Sequence, residues 1–257
     1  MADETALITG ASSGIGRELA RCFAEDGADL VLVARREEAL REVAHELKAD
    51  HGIAAHVIPC DLAEPEAPRT LFDTLEAEDI PVDVVVNNAG FGARGPVAKL
   101  DTQRQIDMVQ VNVTALTHLT RLLLPGMIDR GRGGVLNVAS TAAFQPGPNM
   151  SVYYATKAYV LSFTEGLDEE VRGTGVHVSC LAPGATDTGF ADRADMKGTM
   201  LFKLGTMAPA AVARAGYDGF RANTTLVVPG LFNKLTAASV RFVPRRAART
   251  IAQWLQS

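Results

Sequence analysis

Thr9-Gly10-Ala11-Ser12-Ser13-Gly14-Ile15-Gly16 sets the architecture of this chain. It follows a short apolar run, Thr5 to Thr9, and opens an amphipathic run from Gly14 to about Asp26. A strand ending at Thr9 and a helix starting near Gly14 leave a tight turn between them. Glycine in that turn tolerates positive φ and lets backbone N–H groups approach a ligand. The helix N-terminus adds partial positive charge, so the turn suits a pyrophosphate. The spacing is Gly-x-x-x-Gly-x-Gly rather than Gly-x-Gly-x-x-Gly. An ordinary strand–helix turn has no need of three glycines, whereas a nucleotide cradle does.

The same rhythm continues outward from this turn. Leu30 to Ala34 is a continuous apolar run, as in a strand covered on both faces. Glu37 to about Lys48 reads as a helix, with Leu40, Val43, Ala44 and Leu47 on one stripe. Ala54 to Pro59 is a third strand, and Glu64 to Glu78 a helix with Pro65 in its first turn. Val82 to Val86 is a fourth strand, and a long helical region from Thr102 to Asp129 breaks near Asn112. Strands at Val135 to Val138, Val176 to Leu181 and Thr224 to Val228 alternate with helices at Val152 to Arg172 and Ala210 to Ala222. A last helix covers Ala247 to Leu255. This alternation predicts one α/β domain over residues 1–257, a Rossmann-type, doubly wound parallel sheet of about seven strands with helices on both faces. Residues 185–208 break the rhythm, and a long irregular segment inside a compact domain is usually a functional lid.

Composition narrows the function. A chain of 257 residues that is 47% apolar fits one large domain. No eighteen-residue uncharged apolar run is present, so no membrane span is expected. Met1-Ala2-Asp3-Glu4 leads straight into a strand, with no signal peptide visible. Cys22, Cys60 and Cys180 are odd in number and lack metal-like spacing. Neither disulfide nor metal site is expected, and a reducing cytoplasm is the natural compartment. A net charge of −5 argues against a nucleic-acid partner. No acidic residue follows Asp218, while Arg221, Lys234, Arg241, Arg245, Arg246 and Arg249 do. The expected reading is a solvated helical face; the other is a basic surface for an anionic membrane or an acidic partner.

The residue that ends the second strand chooses between dinucleotides. An acid there would hold the ribose 2′-OH of NAD, but this chain has Ala34, followed by Arg35 and Arg36. A guanidinium meets the 2′-phosphate of NADP with charge-assisted bonds, so NADP (NADPH) is the expected cofactor. Arg35, nearest the strand end, is the first choice, with Arg36 directed to water.

Tyr153-Tyr154-Ala155-Thr156-Lys157 lies thirteen residues after Ser140. A phenol with its ordinary pKa near 10 is a poor proton donor to a carbonyl at neutral pH. A lysine four residues on shares its helical face. Its charge is expected to pull the Tyr153 pKa down, making Tyr153 a general acid in reduction and a general base in oxidation. Ser140, just after the fifth strand, is placed to hydrogen-bond a carbonyl oxygen as charge develops. Spacing alone leaves Tyr154 open as an alternative.

With these residues in view, Thr9-Gly10-Ala11-Ser12-Ser13-Gly14-Ile15-Gly16, Asn87-Asn88-Ala89-Gly90, Ser140 and Tyr153-x-x-x-Lys157 together resemble the short-chain dehydrogenase/reductase family. The resemblance runs from Thr5 to about Val228, with motifs in family order and spacing. It implies a fourth catalytic residue, Asn112, holding a water that links Lys157 to solvent. It also implies that Gly10, Ser12, Ser13, Gly14, Ile15 and Gly16 cradle the cofactor, and that Asp61 and Leu62 bind the adenine edge. Asn88, Ala89 and Gly90 would line the cofactor and Lys157 would hold the nicotinamide ribose. Pro183 and Gly184 would approach the nicotinamide, with Thr188 on its carboxamide or phosphates. One departure is Ser13, where NADP-preferring members often carry a basic residue. Family likeness further implies a homodimer or homotetramer packed through the helices at Thr102 to Leu124 and around Tyr153.

The expected activity is hydride transfer between NADP(H) and a carbonyl or secondary alcohol. Phe91, Phe144, Phe190, Met196, Met200, Leu201, Phe202 and Met207 favour an apolar small-molecule substrate. The alternative is a non-catalytic NADP-binding sensor, membrane-associated through the basic C-terminal segment.

Overall fold

The structure, a computed structural model, describes residues 4–194, 196, 199–203 and 205–255. The leading Met1-Ala2-Asp3 reading lies outside the described residues. Strands β1 (Thr5–Thr9), β2 (Asp29–Ala34), β3 (Ala55–Pro59), β4 (Val84–Asn87), β5 (Gly133–Val138), β6 (Val176–Leu181) and β7 (Leu226–Val227) form one sheet. Its order is β3-β2-β1-β4-β5-β6-β7, and every pairing is parallel. Helices α1 (Gly14–Glu25), α2 (Glu37–His51), α3 (Ala67–Ala77), α4 (Thr102–Val109), α5 (Leu116–Asp129) and α6 (Ser151–Glu170) connect the first six strands. After β6 come the short α7 (Phe190–Arg193) and α8 (Met200–Lys203), then α9 (Pro209–Arg221), α10 (Leu231–Ser239) and α11 (Arg245–Leu255). This is a Rossmann-like fold.

Alternation along each strand explains the unbroken apolar runs. Ala6 and Ile8 of β1, Leu30 and Leu32 of β2, and Val84 and Val86 of β4 share one core with Leu19 and Phe23 of α1, Leu40 of α2 and Phe220 of α9. Leu7, Val31, Val33 and Val85 point the other way, onto Leu71 of α3, Leu119 and Leu123 of α5 and Leu167 of α6. A sheet buried on both faces has no polar side to advertise. The strand order reverses between β1 and β4, and sheets of this kind bind ligands in the crevice at such a switch point.

Several boundaries differ from expectation for local reasons. α3 starts at Ala67 because Asp61 first closes a turn, its Oδ1 accepting from Ala63 N at 3.1 Å. Pro68, not Pro65, therefore occupies the first turn. The long helical region is interrupted as expected, by a wide π-type turn at Gln110–Ala115. α7, α8 and α10 were not anticipated. Leu116, Leu119 and Leu123, on the helical region expected to pack between subunits, are buried in the fold.

A buried polar ladder underlies the active edge. Asn87 Nδ2 donates to Asn137 Oδ1 at 2.9 Å and to Thr120 Oγ1 at 3.0 Å. Asn137 Nδ2 donates to Thr164 Oγ1 at 3.0 Å. It ties β4 and β5 to α5 and α6, the helix that carries Tyr153 and Lys157. Buried amides of this kind are costly unless every member is bonded.

Candidate active site

One cleft of about 860 Å³ runs across the carboxyl edge of the sheet. Its walls include Gly10, Ser12, Ser13, Gly14 and Ile15 at one end and Ser140, Tyr153 and Lys157 at the other. Arg35, Asp61, Leu62, Asn88, Ala89, Gly90, Pro183, Gly184 and Thr188 also line it. Two of the expected site residues, Gly16 and Asn112, sit just behind this surface.

The glycine turn has the shape of a phosphate cradle. Gly10 and Gly14 take φ of +69° and +58°, values that a side chain would strain. A Cβ on Gly16 would lie 2.3 Å from Asn88 Nδ2 and 2.5 Å from Gly10 O, so only glycine lets the turn close. Thr9 Oγ1 accepts from the N–H groups of Asn88 and Ala89, each at 3.0 Å, and Asn88 Nδ2 donates to Thr9 O at 2.9 Å. The Asn88 side chain is thus a brace for the turn. Ser13 is the N-cap of α1, but its side chain makes no capping bond and the first turn holds no acid. N–H groups at the start of α1 therefore remain available to an anion.

The basic pair flanks this cradle. Arg35 is 3.7 Å from Asp61 Oδ2, and its side chain is 71% exposed. Arg36 is not simply turned to water: its Nη2 reaches Ser12 Oγ at 3.2 Å. Both arginines line the cleft beside Ser12 and Ser13. The donor set, two guanidiniums and hydroxyls, fits a phosphorylated ribose, with Asp61 the acid that the Arg35 charge already faces. Thr188 Oγ1 accepts from Phe190 N at 3.2 Å, capping α7. Its methyl would lie 3.1 Å from a Cβ on Gly14, so this residue reaches across the cleft to the glycine turn.

At the far end Tyr153, Ser140 and Lys157 converge. Ser140 caps the short 3-10 turn Thr141–Phe144, accepting from Ala142 N at 3.1 Å, and its hydroxyl acts to lower the Tyr153 phenol pKa. Lys157 Nζ donates to Val138 O at 2.8 Å and lies 5.9 Å from the centre of the Tyr153 ring. Burial pushes the phenol pKa above its ordinary value, and Ser140 only partly opposes this. Burial also brings the Lys157 amine down to about 8, against the pull of Cys180. The expectation that Lys157 lowers the Tyr153 pKa is therefore corrected: desolvation dominates both groups, and the ammonium is spent on a carbonyl. Tyr154 lines the same cleft, its ring centre 6.1 Å from that of Tyr153 and packed where a Cβ on Gly147 would come within 2.4 Å.

Asn112 occupies the wide turn, and its side chain is fully engaged. Oδ1 accepts from Phe91 N at 3.1 Å, while Nδ2 donates to Phe91 O and Thr156 Oγ1, both at 3.0 Å. A Cβ on Gly90 would sit 3.0 Å from Asn112 Oδ1 and 3.4 Å from Lys157 Nζ. Glycine at this place keeps the space between amide and ammonium open.

Phe91, Met150, Phe190, Met196 and Phe202 pack with Tyr153 and Tyr154 into one apolar cluster. The Phe190 ring centre is 5.3 Å from that of Tyr153. Phe144 departs from expectation: it packs against the cluster of Leu116, Val160 and Cys180 instead. Met207 pairs with Thr186, and the side chain of Leu201 lies outside the described residues. Residues 185–187 are tied to Met207 by Met207 N to Ala185 O and Asp187 N to Met207 O, each at 3.0 Å.

Comparison with known proteins agrees with this geometry. The short chain dehydrogenase family model matches residues 4–197. A short chain dehydrogenase of Pseudocercospora fijiensis is 39% identical over 189 residues, 72% of this chain and 60% of that protein. A Sphingobium yanoikuyae short-chain dehydrogenase solved in complex with NADPH is 33% identical, with a TM-score of 0.83 over 93% of this chain and 94% of that one. The bulky-bulky ketone specific alcohol dehydrogenase of Comamonas testosteroni is 30% identical, with a TM-score of 0.79 over 94% of each chain. On these grounds the chain belongs to the short chain dehydrogenase family of oxidoreductases.

Proposed function

We propose that this enzyme is an NADP(H)-dependent carbonyl reductase, acting in reverse as a secondary alcohol dehydrogenase, on an apolar ketone. The observation that carries the reading is the convergence of Ser140, Tyr153 and Lys157 at one end of the cleft whose other end is the glycine cradle. The NADPH complex of the Sphingobium relative and the bulky ketones of the Comamonas enzyme support cofactor and substrate class in turn.

Gly10 to Gly16 and the N-terminus of α1 would hold the pyrophosphate, and Arg35 with Arg36 the 2′-phosphate. Asp61 and Leu62 would border the adenine; Gly184, Thr188 and Lys157 would position the nicotinamide end. NADPH, when bound, would supply the hydride that the carbonyl carbon receives. Tyr153 gives its proton to the carbonyl oxygen, and Ser140 hydrogen-bonds that oxygen as charge builds. A phenol held protonated by burial is in the right form for reduction. With its side chain engaged, Asn112 would hold a relay water through its backbone. The apolar wall of Phe91, Met150, Phe190, Met196 and Phe202 would exclude solvent and receive the ketone's hydrocarbon. Exposed Ile106 and Val109 on α4 and Tyr159 on α6 support subunit contacts through those helices.

The test is loss of NADPH absorbance against a panel of small and bulky ketones. Turnover rising with apolar bulk, and much weaker with NADH, is the expected result. Tight NADPH binding with no turnover across the panel would favour the non-catalytic sensor.

A further inference from the structure

Among the described residues eleven large apolar side chains are exposed, and six of them lie after Gly230. Leu231, Phe232 and Leu235 of α10 are 74%, 70% and 63% exposed, and Phe242 is 87% exposed. Ile251 and Trp254 of α11 are about half exposed, at 50% and 54%. Residues 231, 232 and 235 share one face of α10. The other face is anchored: Ala237 is buried, and Asn233 donates to Pro229 O at 2.8 Å while packing on Gly184. In α11, Ala248 and Ala252 form the buried row, and the helix packs against α8 of the lid. The apolar residues left outside are large and aromatic, which solvent alone does not favour.

Charge marks this surface as well. Many cations elsewhere are paired, as Arg17 and Arg21 are with Glu46, Arg214 with Glu25, and Arg221 with Glu4. Lys234, Arg245, Arg246 and Arg249 are exposed and, among the described residues, have no acidic partner. None is available nearby in sequence, since no acid follows Asp218 in a chain of net charge −5.

We propose that α10, the turn Val240–Phe242 and α11 form a docking surface for an anionic lipid bilayer. Short helices that mix exposed Phe, Leu and Trp with Lys and Arg lie in the headgroup plane, the cations reaching lipid phosphates while the rings enter the acyl boundary. No described helix is long and apolar enough to cross a membrane, so the contact is peripheral. A second copy fits less well: a two-fold contact through this face would set cation against cation. The surface is joined to the site, since α11 packs on the lid helix α8 and Asn233 reaches Met207 Sδ at 3.6 Å. Docking here depends on no assignment of substrate.

The chain's single tryptophan is Trp254, so its emission reports this helix alone. The experiment titrates the full-length protein with phosphatidylcholine vesicles and with mixed phosphatidylcholine–phosphatidylglycerol vesicles, at low and high salt, following Trp254 emission and cosedimentation. A blue shift and sedimentation with the anionic vesicles only, weakened by salt, are expected. Arg245→Glu, Arg246→Glu and Arg249→Glu together should lower the partition coefficient roughly a hundredfold, and Phe232→Ser with Phe242→Ser at least about tenfold. Unchanged thermal unfolding and NADPH affinity show that the variants remain folded; if they do not, the wild-type emission decides. No binding, or equal binding to both vesicle types, overturns the proposal. So does a smaller oligomer from the Phe232/Phe242 variant with unaltered vesicle behaviour, which would mean that a second copy covers this face.

Discussion

Replacing Lys157 by Met is expected to stabilise the protein near neutral pH while abolishing turnover. Burial brings the Lys157 amine from 10.5 to about 8 in the folded chain. One unit corresponds to about 1.4 kcal/mol, so keeping the ammonium inside at pH 7 costs about 3 kcal/mol relative to the unfolded chain. Between the two values the unfolded chain keeps a proton that the folded chain has released. This group therefore makes stability rise with pH across that window, and its penalty is present in full below it. From pH 7 to pH 10 the wild type should recover about 2–3 kcal/mol from Lys157, and the Met variant nothing. The raised thiols of Cys22 and Cys60 and the raised phenol of Tyr153 contribute slopes of opposite sign, but in both proteins; Cys180, pushed up to about 12 by burial against the pull of Lys157, stays protonated in both folded chains up to pH 10. Loss of the bond to Val138 O lowers the variant at both pH values alike. The diagnostic quantity is thus the gap between variant and wild type, measured by urea denaturation without added nucleotide. It should favour Met by about 2–3 kcal/mol more at pH 7 than at pH 10. A gap independent of pH would mean that Lys157 carries no burial penalty.

Three further substitutions probe the cradle, the cofactor choice and the lid. Gly16→Ala forces a Cβ against Asn88 Nδ2 and Gly10 O, 2.3 and 2.5 Å away; calorimetry should show nucleotide affinity falling more than about tenfold, since the obstructing carbonyl is backbone and cannot step aside. Arg35→Ala should weaken NADPH by roughly tenfold to a hundredfold, the share of a bond to a charged group, and NADH hardly at all. Equal losses would remove the 2′-phosphate role. Phe190→Ala takes away the ring 5.3 Å from Tyr153; kcat/KM for bulky ketones should drop by about 1–3 kcal/mol in free-energy terms, more than for acetone-sized ones.

Much of the fold was legible because the sheet is buried on both sides. Leu30 to Val33 and Val84 to Val86 read as strands without any alternation to interpret. β1 and β6 begin and end where expected, since Gly10 and the turn before Val176 punctuate them sharply. α7 and α8 were not legible, because four residues carry no period. α10 was hidden for another reason: its large apolar residues face outward, so its pattern does not point to a core. In the site, residue types and spacing indicated which groups meet, but not their electrostatics. That Lys157 turns to Val138 O and that burial governs Tyr153 depend on depth, which no spacing encodes. The Asn87–Asn137–Thr164 ladder was equally invisible, since an asparagine in a strand reads the same buried or exposed. Arg36 was misread because its partner, Ser12, lies 24 residues away in sequence.

Proton delivery by Tyr153 underlies the proposed chemistry, and single-turnover NADPH oxidation by Tyr153→Phe isolates that step. With a ketone that the wild type reduces, the rate should fall by about two to four powers of ten while NADPH affinity stays unchanged. A rate within a few-fold of wild type would contradict the claim and move the proton donor elsewhere.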